Sequence, residues 1–146
     1  MSYKNMFDAP GDGSQDENTL YSLSGEFLEA ARTLQSVPPT KTKYSHVIYY
    51  LLGHSAELAL KAFLFKRGHT LEQLMKIGHD LGKLISVAAE HNLKSTKDTI
   101  QLKELSKLYK TKQYEYRKNS GVNLPDLQCL TEEIENIHTA VFDALF

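Results

Sequence analysis

Along most of this chain, apolar side chains recur every three or four residues, the spacing that gathers them on one face of an α-helix. Leu20, Leu23, Phe27, Ala31 and Leu34 follow it. Just ahead, Ser14 and Glu17 in "SQDE" have the form of a capping box, where a hydroxyl accepts an orphan amide and a carboxylate reaches back. "SVPPTKTK" ends this helix, because proline lacks an amide donor and restricts the residue before it. The next segment, "YSHVIYYLLGHSAELALKAFLFKRG", is apolar around most of its circumference, which predicts the central and most buried helix, closed by Gly68.

Downstream, Thr70 and Gln73 form a second capping box, opening a short helix over 71–77 with Gly78 as a left-handed C-cap. Asp80 is placed to cap the following helix, with Leu81, Leu84, Ile85 and Ala88 on one side. A further helix runs from about residue 97 to 112, with Leu102, Leu105, Leu108 and Tyr109 inward. After the longest irregular connection, "QYEYRKNSGVNLP", residues Leu127, Leu130, Ile134, Ile137, Val141 and Leu145 make a narrow apolar seam. No segment sustains the period of two that a half-buried strand requires. The pattern predicts an all-α protein, an antiparallel four- to five-helix bundle. Residues 1–14 read as a flexible lead and 15–146 as a single domain.

Composition narrows the class. The chain has 146 residues, 41% of them hydrophobic and 24% charged, the proportions of a globule with one core. A formal net charge of -1 argues against a general nucleic-acid or membrane binder. A single cysteine, Cys129, forms no internal disulfide and points to a reducing, cytoplasmic setting. The polar, acidic N-terminus lacks the apolar stretch of a signal peptide, and no run approaches a membrane span.

The near-neutral total conceals an uneven distribution. Residues 94–118 carry eight basic and three acidic side chains, while 124–146 carry five acidic ones and no Lys or Arg. Tyr109, Tyr114 and Tyr116 interleave with the basic run. Cations hold phosphates and rings stack on unpaired bases, so Lys110, Lys112, Tyr114, Tyr116, Arg117 and Lys118 are candidate RNA or nucleotide contacts. The competing reading is a solvated helix end beside core tyrosines.

The central helix carries one polar stripe, His54, Glu57 and Lys61, on a single face. It either meets water or is paired inside the bundle, where a buried Glu–Lys pair needs further hydrogen bonds to offset desolvation. His79, tethered between Gly78 and Asp80, is the candidate to supply one from another segment. It then serves either as a structural pin or as an acid–base group.

"HSAELALKAFLFKRG", then "GHDLGKL", then "YEYRK" before a last amphipathic helix, resembles the HEPN family (higher eukaryotes and prokaryotes nucleotide-binding) over about residues 44–145. The resemblance implies a helical bundle that is often a homodimer. It further implies RNA-directed roles: metal-independent ribonucleases of toxin–antitoxin and phage-defence systems, companions of a small nucleotidyltransferase, or noncatalytic binding modules. The family's ribonucleases place a histidine four to six residues after an arginine near the start of the last helix. Arg117 stands in that region, but positions 121–123 are Gly, Val and Asn, and the next histidine is His138. This departure favours a noncatalytic module binding RNA, nucleotide or a protein partner. The alternative is a divergent ribonuclease with Arg117 as phosphate clamp and His79 as acid or base. No cofactor is implied. A metal site is disfavoured, because Glu135 and His138 form the sole Glu-x-x-His pair and the six histidines make no tight ligand cluster.

Overall fold

The computed structural model describes residues 16–37, 45–111 and 124–146. Among them are six helices and no strand: α1 (Glu17–Ser36), α2 (Ser45–Lys66), α3 (Leu71–Ile77), α4 (Leu81–Glu90), α5 (Ile100–Thr111) and α6 (Leu127–Leu145). The protein is thus an all-α helical bundle. Two of its helices are short, α3 and α4, where the hydrophobic pattern suggests one. The expected flexible lead over 1–14, the segment 38–44 and the connection through 112–123 lie outside the described residues.

α2 packs against all five other helices, with α1 as its most extensive neighbour. Residues 55–64 are buried without a break, so for about three turns this helix has no face toward water. Leu52, Ala56, Leu60, Phe63 and Leu64 form the middle of the core, met by Leu84 of α4, Leu102 and Leu105 of α5, and Leu130, Ile134 and Ile137 of α6. The seam of α6 is buried along its centre, and its end residues Leu127 and Leu145 are partly buried against the same core. On α1 the buried line is Leu20, Ser24, Leu28 and Ala31, and Leu23, Phe27 and Leu34 flank it half-buried. Ser24 is tolerated there because its hydroxyl donates to the Ser55 carbonyl at 2.7 Å.

The helix ends show how local and distant partners share the capping. α1 starts on Asp16 rather than Ser14: an Asp16 carboxylate oxygen accepts both the backbone N–H and the hydroxyl of Thr19, at 2.9 and 3.0 Å. It stops before Val37, held extended ahead of Pro38. Both halves of the Thr70–Gln73 capping box are made. Gly78 ends α3 with φ of 63°, yet its ψ of -131° lies outside the ordinary left-handed helical cap, a combination open to glycine alone. Asp80 caps α4 through Lys83 N–H, and the Ser106 hydroxyl of α5 accepts from Gly82 N–H. α5 begins at Ile100, three residues beyond the expected start, because its cap is borrowed from α6. The two Glu133 oxygens accept from Gln101 and Leu102 N–H at 3.0 and 2.8 Å.

Candidate functional site

Three elements bring polar side chains to one point inside the bundle. α2 supplies His54, Glu57 and Lys61. The α3–α4 joint supplies His79. α5 supplies Tyr109. Glu57 and Lys61 are 1% and 2% exposed, so neither charge reaches water and each depends on its protein partners.

The Glu57 carboxylate has its partners divided between its oxygens. Oε2 accepts from Lys61 Nζ at 2.8 Å. Oε1 lies 2.8 Å from His79 Nδ1 and accepts from the Tyr109 hydroxyl at 2.9 Å. An ionised carboxylate only accepts, so His79 Nδ1 carries the proton it shares with Glu57. Tyr109 has committed its one proton to Glu57 and therefore accepts from His54 Nδ1 at 3.0 Å. The result is a chain of donors, His54 to Tyr109 to Glu57, with His79 and Lys61 converging on the same acid. Burial pushes the Glu57 carboxyl upward, but the His79 hydrogen bond and the Lys61 ammonium outweigh it and hold the group below its ordinary range. Glu57 is thereby kept as a buried carboxylate.

The surroundings immobilise the imidazoles. His54 stacks on Phe27 with centroids 5.1 Å apart and meets Tyr50 edge-on at 4.5 Å. The His79 ring stands nearly perpendicular to that of Tyr109, centroids 5.9 Å apart. Its backbone is fixed on both sides, by the positive φ of Gly78 and by the Asp80 cap. Yet the His79 side chain is 44% exposed. With Nδ1–H anchored by a buried carboxylate, Nε2 is the ring nitrogen that this half-exposed side chain has left for a further partner. In the neutral ring Nε2 accepts a proton or a hydrogen bond; in the protonated ring it donates to an anion. A tethered carboxylate and imidazole also form the orienting half of an acid–base pair.

The other candidate residues distribute as follows. Lys112, Tyr114, Tyr116, Arg117 and Lys118 lie outside the described residues, as does the side chain of Lys110, and with them any pairing of His79 with Arg117. The acidic side chains of the last segment are largely engaged in structure. Asp126 caps α6, Glu133 caps α5, and Glu135 pairs with Arg32 on α1. His138 faces a different wall. It stacks on Tyr21 with centroids 4.2 Å apart, and its Nδ1 lies 2.9 Å from the Tyr21 hydroxyl. His138 Nε2 is buried without a hydrogen-bond partner, and burial, then Arg32, lowers its pKa. Among the described residues no group of three or more His, Cys, Asp or Glu side chains is arranged to hold a metal ion.

Two residues of the site escape the periodic reading. Tyr109 counts by spacing as a core ring, yet its hydroxyl is the link between His54 and Glu57. Gly53 stands inside the most apolar helix, where glycine is unfavourable, because a Cβ there would come within 2.6 Å of two Tyr109 ring carbons. A glycine with no turn to make, one residue before the polar stripe, is the signal that marks this approach.

The family model of the HEPN domain matches residues 20–144, nearly the whole chain and all the helices of the site. No curated protein and no solved structure matches the sequence. None of the described helices is long and apolar enough to cross a membrane.

Proposed function

Because the chain belongs to the HEPN family, we propose that it is a noncatalytic module that binds RNA or a nucleotide, with His79 as a contact group. The observation that carries this reading is the fixed, half-exposed imidazole: Nδ1 anchored 2.8 Å from a buried carboxylate, the ring 44% exposed. A group so held meets a phosphate oxygen, a ribose hydroxyl or a base edge without first losing rotamer freedom. The basic, tyrosine-rich run that includes Lys110, Lys112, Tyr114, Tyr116, Arg117 and Lys118 supplies the cations and stacking rings such a ligand uses. Family membership supports assembly as a homodimer, a small nucleotidyltransferase as protein partner, and a place in a toxin–antitoxin or defence system.

A second reading, a divergent metal-independent ribonuclease with His79 as acid or base and Arg117 as phosphate clamp, is favoured by one specific feature: a carboxylate that orients the imidazole as an acid–base pair requires. One experiment addresses both. A labelled single-stranded RNA is titrated with the protein in EDTA at low and high salt, and the RNA is then run on a gel. Binding that weakens with salt, no cleavage, and roughly ten- to a hundredfold weaker binding by His79→Ala, the scale of one charge-assisted hydrogen bond, is expected. Cleavage abolished by His79→Ala and by Arg117→Ala replaces the first reading with the second. No binding of RNA, ATP or GTP at low salt refutes both.

A further inference from the structure

We propose that Tyr109 is a positioning residue for His79: its hydroxyl fixes the Glu57 oxygen that anchors the imidazole, and Gly53 is the seat that lets its ring reach that place. The proposal rests on the reading of His79 as a contact group, though its structural half stands without it. Glu57 reaches the site through three rotatable bonds, and Lys61 engages only Oε2. One contact leaves the carboxylate free to turn about that oxygen. The Tyr109 hydroxyl, 2.9 Å from Oε1, removes this freedom before His79 arrives. The acceptor for His79 Nδ1 is therefore built by α2 and α5, while the imidazole comes from the joint between α3 and α4.

Tyr109 is itself oriented from both ends. Its ring lies on Gly53, where any side chain would collide with Cδ1 and Cε1 at 2.6 Å. Its hydroxyl accepts from His54 Nδ1 at 3.0 Å, and His54 is packed against Phe27 and Tyr50. Orientation thus passes from a packed imidazole, through a phenol and a buried acid, to a half-exposed imidazole. An uncommitted neutral histidine favours the tautomer protonated at Nε2. The hydrogen bond to Glu57 enforces the Nδ1–H form, so the tautomer of His79 reports whether the acid is held.

The test uses the full chain labelled with nitrogen-15 in its histidines, without ligand, in mildly alkaline buffer. Long-range nitrogen–proton spectra read the His79 tautomer in the wild type, in Tyr109→Phe and in Gly53→Ala. The first variant removes the hydroxyl and keeps the ring; the second keeps the hydroxyl and displaces the ring. Both are expected to shift His79 toward the Nε2–H form. Tyr109→Phe is expected to bind a labelled oligouridylate about three- to tenfold more weakly, a smaller loss than that from removing the His79 contact itself. A His79 spectrum in Tyr109→Phe identical to wild type overturns the proposal, whatever Gly53→Ala does. A shifted spectrum with unchanged oligouridylate affinity upholds the positioning role and counts instead against His79 as a nucleic-acid contact.

Discussion

Replacing Glu57 by methionine tests the energetics of the site most directly. The substitution keeps the volume of the side chain and removes the acceptor of three donors: the Lys61 ammonium, the Tyr109 hydroxyl and His79 Nδ1–H. Lys61 is 2% exposed and has no route to water, so the variant contains an uncompensated buried charge. Breaking a buried pair from one side costs about 3–5 kcal/mol. For a domain of this size, at about 3 °C per kcal/mol, the melting temperature falls by roughly 10–15 °C. Lys61→Met is the informative contrast. It leaves Glu57 with the Tyr109 and His79 hydrogen bonds, and the half-exposed His79 ring remains to face the acid, so a loss of about 1–2 kcal/mol is expected. The double variant Glu57→Met/Lys61→Met carries no stranded ammonium and is expected to be more stable than Glu57→Met alone. Urea unfolding followed by far-UV circular dichroism suits a chain without tryptophan. A smaller loss from Glu57→Met than from Lys61→Met, or a double variant whose loss equals the sum of the singles, refutes the account of Glu57 as the shared acceptor.

Two pH windows follow from the same side chains. The Glu57 carboxyl titrates below its ordinary range in the folded chain, so its contribution is fully present above about pH 4.3 and is lost as pH falls through the folded value. Glu57→Gln is expected to flatten the acid limb of a urea-stability profile, and an unchanged limb contradicts this. His138 is also lowered, so the unfolded chain takes up its proton first; stability is complete above about pH 6.5 and declines below it. The slope between neutral and mildly acidic pH is expected to shrink in His138→Gln, and a slope that persists in full assigns it to other groups. Glu133→Ala uncovers two amides at the start of α5 and is expected to cost about 1–2 kcal/mol. The adjacent Glu132→Ala is expected to stay within about 0.5 kcal/mol, and equal melting temperatures for the two variants would remove the cap from the account.

Features with a local cause are legible in the sequence. Thr70 and Gln73 cap α3 through atoms three residues apart, and the spacing alone identifies α4's buried side, Leu81, Leu84, Ile85 and Ala88. Uniform hydrophobicity likewise marks α2 as central, since a helix covered on every side has no polar face to show. Features with a distant cause are not legible there. α5 starts at Ile100 because a carboxylate 31 residues away accepts from Leu102 N–H, and no local pattern encodes that partner. Asp16 caps α1 with one carboxylate oxygen that takes both Thr19 donors, a double role that the Ser14–Glu17 spacing does not announce. At the site, helical spacing places His54, Glu57 and Lys61 on one face, but spacing is blind to what a hydroxyl does at the end of a ring. Tyr109 therefore reads as packing until its distance to Glu57 is known.

The unbroken burial of residues 55–64 has a consequence for motion. A region opens by itself only when it has few buried neighbours to leave behind, and α2 touches every other described helix. Glu57 and Lys61 therefore belong to the last part of the molecule to exchange its amide hydrogens, reached through global unfolding alone. The imidazole at the α3–α4 joint, bonded to Glu57, is thereby moored to the segment least able to open. A visiting ligand meets a fingertip braced on an unmoving knuckle.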